Sequence, residues 1–97
     1  MKVAIAPAAE RELRDAVDYY RSAAGAATAA RFLAAVDHAV ALVLAHPALG
    51  TPVSPRTRAI TLKGFPYWLL YSVEADTLTL RAAAHQRRRP QSWRERH

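Results

Sequence analysis

Thr77-Leu78-Thr79-Leu80-Arg81-Ala82-Ala83-Ala84-His85 is the cleanest alternation in the chain. Its two-residue period is that of a β-strand with one buried face. It places Leu78, Leu80, Ala82 and Ala84 on one side and Thr79, Arg81, Ala83 and His85 on the other. Immediately upstream, Glu74-Ala75-Asp76 reads as a turn. Before it, Tyr67 to Val73 is aromatic and β-branched with apolar residues on both faces, as expected of a central strand. Gly64-Phe65-Pro66 is a further turn. Arg56 to Lys63 alternates again, with Arg58, Ile60 and Leu62 sharing a face. Three strands joined by two hairpins therefore fill the second half.

Working outward, Val3-Ala4-Ile5 is a short strand ended by Pro7, which also suits a first helical turn. Ala9, Leu13, Ala16, Val17 and Tyr20 follow the helical period, with Arg11, Glu12, Arg14, Asp15 and Asp18 opposite. Gly25 stops this helix. A second runs from Ala26 or Thr28 to Ala45, carried by Ala29, Phe32, Leu33, Val36, Val40 and Val43. It ends at His46-Pro47, because the residue before a proline is pushed out of helical geometry. A break this short makes an antiparallel helical hairpin. Pro47, Gly50, Pro52 and Pro55 mark a rigid loop. The order is β-α-α-β-β-β. An α+β, two-layer fold follows, with the helical hairpin packed on the Leu78/Leu80 face of an antiparallel sheet. The other face, carrying Arg81 and His85, is left open.

The chain of 97 residues reads as a single domain, 1–97, with a basic C-terminal tail over 86–97. Cysteine is absent, which removes disulfides and thiol chemistry and suits a reducing cytoplasm. No signal peptide is visible, and no stretch is expected to serve as a membrane span of roughly 20 apolar residues, so no membrane partner is expected. The net charge of +6 is unevenly placed. Lys2, Arg11, Arg14, Arg21 and Arg31 balance Glu10, Glu12, Asp15, Asp18 and Asp37. The excess lies in Arg56, Arg58, Lys63, Arg81, Arg87, Arg88, Arg89, Arg94 and Arg96, set against Glu74, Asp76 and Glu95. Such a patch favours a polyanion or an acidic protein.

Ala8-Ala9-Glu10-Arg11-Glu12-Leu13, Asp18-Tyr19-Tyr20, Ala30-Arg31-Phe32-Leu33, His46-Pro47-Ala48-Leu49-Gly50, Arg58, Phe65-Pro66-Tyr67, Tyr71, and His85-Gln86-Arg87-Arg88-Arg89-Pro90 with Trp93-Arg94 come in an order and spacing that resembles the RelE/ParE toxin superfamily, its ParE-like branch in particular. The resemblance covers nearly the whole chain. It implies two N-terminal helices on an antiparallel sheet and the toxin half of a type II toxin–antitoxin pair. A cognate antitoxin would wrap over the toxin as a hetero-oligomer in the cytoplasm. ParE-like members inhibit DNA gyrase; RelE-like members cut messenger RNA in the ribosome.

Metal-independent RNA cleavage needs a group to take the 2′-hydroxyl proton, cations for the phosphorane and an acid for the leaving oxygen. His85 and Arg81, with Arg58, are the candidates. At strand rise, however, Arg81 and His85 stand about 13 Å apart. Lys63 is the only lysine in the second half, and no tyrosine follows Tyr71. This constellation leans toward a non-enzymatic, ParE-like inhibitor, with the RelE-like endoribonuclease as the alternative. Arg58, Arg81, His85, Arg87, Arg88, Arg89, Trp93 and Arg94 are then the candidates for binding target or antitoxin, the arginines through bidentate contacts to carboxylate or phosphate. His38 and His46 have no convincing ligand partners, so no metal and no cofactor are expected.

Overall fold

A computed structural model describes residues 1–86. Strand β1 (Lys2–Ile5) leads into helix α1 (Pro7–Ala24), with Pro7 in its first turn, where a missing N–H costs nothing. Gly25 alone separates it from helix α2 (Ala26–Ala45). Its φ of 91° is one that glycine adopts without a Cβ penalty, and this reverses the chain in a single residue. Strands β2 (Thr51–Pro52), β3 (Arg58–Thr61), β4 (Tyr67–Glu74) and β5 (Thr77–His85) complete the sheet. The strand order is β1-β5-β4-β3-β2.

The α+β arrangement and the element order are those expected, with three differences. The sheet is mostly antiparallel, because β1 runs parallel to β5, pairing Val3 with Leu78 and Ile5 with Leu80. The whole helical hairpin lies between these two strands in sequence, so it serves as the crossover that a parallel pair needs. The proline-marked loop contains β2, which pairs with β3 at the sheet edge, where Pro52 lacks no ladder bond. Finally, α2 spans 20 residues at mean hydropathy 1.5, so by length and composition it is apolar enough to cross a membrane. Its alanines supply much of that value. Its buried stripe of Ala29, Phe32, Val36, Ala39 and Val43 is applied to the domain core, while Leu33, expected in that stripe, is exposed.

The core between helices and sheet has two parts. Phe32, Ala16, Val36, Leu62, Leu69 and Ala83 pack with an aromatic cluster of Tyr20, Phe65 and Tyr67. The ring centroids in that cluster lie 5.1 to 6.3 Å apart, mostly edge to face. Ala9, Val43, Tyr71, Leu78 and Leu80 form the second part. On the far side of the sheet, Ala59, Leu70, Ala82 and Ala84 pack with Val53 and Trp68. So Leu78 and Leu80 lie under the helices as expected, whereas Ala82 and Ala84 do not.

A β-bulge causes that change of face. Leu70 pairs with Ala82, but the next residue, Tyr71, pairs with Leu80. Arg81 is the extra residue, and the alternation of β5 restarts after it. Ala83 and His85 therefore face the helices, and Ala82 and Ala84 face away.

Candidate functional site

The bulge separates the two residues that the strand period had placed together. Arg81 lies on the sheet face away from the helices. Its Nε donates to Ser72 Oγ at 2.8 Å, and the side chain is half-buried. His85 lies on the helix face, opposite Tyr67 in the register. Its ring meets the Tyr67 ring edge-on, with centroids 5.1 Å apart. The expectation that Arg81 and His85 share an open face is thus corrected: the sheet stands between them.

Arg58 is the third candidate, and it is turned toward the loop after α2. Its Nη1 donates to Gly50 O at 2.8 Å and to Ala48 O at 3.2 Å. Tyr71, its cross-strand neighbour, works on the same loop. The Tyr71 hydroxyl donates to Pro47 O at 2.8 Å and accepts from Gly50 N–H at 2.9 Å. Gly50 is required by this close approach. A Cβ there would stand 2.7 Å from Tyr71 Oη and 3.0 Å from Ala59 O. Arg58 and His85 share the helix side of the sheet but sit two strands and four register positions apart, roughly 16 Å by strand geometry.

Arg58, Arg81 and His85 therefore do not form one cluster: Arg58 is held by loop carbonyls, Arg81 by Ser72 across the sheet, and His85 packs on Tyr67. Arg87, Arg88, Arg89, Trp93 and Arg94 lie outside the described residues. Among the described residues there is no group of three or more His, Cys, Asp or Glu able to hold a metal ion. Burial pushes the Tyr20 hydroxyl above its ordinary pKa, and a charged Tyr19 beside it would add to that.

Two features escape the sequence periods. One is Glu12, assigned by helical spacing to the polar side of α1. It is half-buried, and its Oε1 accepts from Ala83 N–H at 3.1 Å. The other is a cleft of about 660 Å³ beside the end of β4, lined by Pro47, Pro52, Pro55, Arg56, Arg58 and Glu74 among others. The clustered prolines signal a rigid wall there, but nothing in the strand period signals a gap.

Apolar side chains are also left in solvent: Leu33 and Leu42 on α2, Tyr19 on α1, and Val3 and Ile5 on the edge strand β1.

The family model described as ParE toxin of type II toxin–antitoxin system, parDE, matches residues 3–90. Among solved structures, the chain is similar to one titled "Chromosomal ParDE TA system from P. aeruginosa", with a TM-score of 0.75 and 18% identity. The similarity covers 88% of this chain and 95% of that one, and at this identity it speaks for the fold. No curated protein sequence matches.

Proposed function

The chain belongs to the ParE toxin family of type II toxin–antitoxin systems, and from that premise we propose that it inhibits growth by binding a cytoplasmic protein target, DNA gyrase, and is neutralised by a cognate antitoxin. The observation that carries the reading is the dispersal of Arg58, Arg81 and His85 over two faces and two ends of the sheet. Binding tolerates separated contacts, because each adds to affinity on its own. Acid–base cleavage of RNA requires them within about 3 Å of the reacting atoms. The antitoxin covers exposed apolar side chains such as Leu33 and Leu42 on α2.

The experiment is a supercoiling assay with purified gyrase, toxin and toxin–antitoxin complex. Toxin alone is expected to block supercoiling, and the complex to leave it intact. Full supercoiling at a large excess of toxin removes gyrase as the target. Messenger cleavage in a ribosome-programmed extract, lost in His85→Ala, would establish the ribonuclease instead.

A further inference from the structure

Strand β4 runs past the start of β3. Their pairing ends with Arg58 opposite Tyr71, so among the described residues Ser72, Val73 and Glu74 have no strand on that side. On the other side they pair with Thr79, Leu78 and Thr77. The direction of the Val73 peptide groups follows from bonds further along. Leu62 N–H donates to Tyr67 O, which turns Tyr67 toward β3 and, at a two-residue period, Leu69, Tyr71 and Val73 as well. Across the hairpin, the carbonyls of Asp76 and Leu80 accept from Lys2 and Ala6, so Leu78, in phase with them, turns its peptide groups to β1 and away from Val73. Val73 N–H and C=O thus have no hydrogen bond among the described residues.

Both groups face the side of the sheet where the 660 Å³ cleft lies, and Val73 is one of its lining residues. Three lining residues are prolines, which have no N–H to give the Val73 carbonyl. The cleft also carries two arginines. Arg58 is held by the loop carbonyls. Arg56 is 83% exposed and only loosely paired, its Nη1 3.5 Å from Glu74 Oε1.

We propose that this cleft takes an extended acidic segment of the antitoxin, added to β4 as a strand in line with β3. One residue of the segment accepts from Val73 N–H and donates to Val73 C=O. A carboxylate on a neighbouring residue replaces Glu74 at Arg56. Strand addition suits an edge whose peptide groups are unpaired, and the exposed, loosely paired Arg56 favours an acidic sequence. The inference rests on the toxin–antitoxin reading, and its test separates the two.

The toxin is co-expressed with the product of the adjacent small reading frame, and amide hydrogen exchange is followed by residue in free toxin and complex. Val73 is expected to exchange rapidly when free and about 100-fold more slowly in the complex. Arg56→Glu, at an exposed side chain, is expected to weaken the complex about tenfold or more. Val73→Pro removes the N–H without removing a bond inside the toxin and is expected to weaken it similarly. Should that variant fail to fold, the exchange data and Arg56→Glu still decide. A complex in which Val73 exchanges at its free rate, or which Arg56→Glu leaves unaltered, overturns the strand-addition proposal while the antitoxin reading stands. If no complex forms, the antitoxin reading itself falls.

Discussion

At the scale of single residues, the polar side chains that matter most to the fold are those that satisfy backbone groups the sheet leaves over. Strand β1 covers β5 only as far as Leu80, so among the described residues the outer edge of β5 from Arg81 onward lacks a strand partner. Glu12 reaches across from α1 to take the Ala83 N–H. Replacing Glu12 by Ala leaves that buried donor without an acceptor, at a cost of about 1–3 kcal/mol. Glu12→Gln keeps an amide oxygen in reach and is expected to recover most of that bond. Urea midpoints for the two variants check this; equal losses would show that the carboxylate acts elsewhere. Glu12 looked like a surface acid because a helical period knows only which face a residue is on, not what lies beside that face.

Tyr20 gives a pH signature at the same scale. Burial in the aromatic cluster raises its folded pKa, first by desolvation and then through Tyr19. The unfolded chain, with an ordinary tyrosine near pH 10, ionises first. Stability from this group is therefore present below about pH 10 and lost as pH rises through the folded pKa. Thermal melting followed from pH 8 to 11 is expected to fall more gently for Tyr20→Phe than for the parent chain.

At the scale of elements, most of the architecture was legible because each element carries its own period and its own stops. Pro7, Gly25 and Pro47 bound the helices, and the turns at 64–66 and 75–76 bound the strands. What was not legible is relational. A parallel partner for β5 is set by where the crossover returns, and no local pattern in Val3-Ala4-Ile5 records it. The bulge is the sharper case. In Arg81-Ala82-Ala83-Ala84-His85 the three alanines fit either face, so the sequence carries no sign that the alternation restarts at Arg81. That one residue moved His85 from the face of Arg81 to the face of Tyr67, and with it went the catalytic pair.

The bulge also makes a prediction. Because Arg81 is the extra residue, deleting it leaves an unbroken ladder with Leu80, Ala82, Ala83 and His85 on their present faces. Deleting Ala83 instead would turn His85 away from Tyr67 and place Ala84 under the helices. The first deletion is expected to fold with a melting temperature within a few degrees of the parent, and the second to lose about 2 kcal/mol or more. If both melt alike, the face assignment is wrong.

At the scale of the whole molecule, charge and architecture divide along the same line. The strand β1 and the helical hairpin carry five cations against five acids, whereas residues 56–97 hold all the excess. Among the described residues of that half, Arg56 at the cleft, Arg58 on β3, Lys63 in the β3–β4 turn and Arg81 on the bulge stand against Glu74 and Asp76, and the rest of the excess lies in residues 87–97. Excess positive charge draws in an acidic partner before contact, and it raises the association rate more than it slows release. Raising ionic strength from 0.05 to 0.5 M shortens the screening length several-fold. The association rate of toxin with its antitoxin is expected to fall about tenfold or more over that range, with the dissociation rate changed much less. Lys63→Ala, which removes an exposed charge on the excess side, should lower the association rate and flatten its salt dependence, while Arg31→Ala on the balanced helical side should leave both nearly as they are. Stopped-flow association at the two salt concentrations separates the cases. A salt-independent rate, or equal effects of the two substitutions, would mean that the partner is recognised through the apolar helix surface alone.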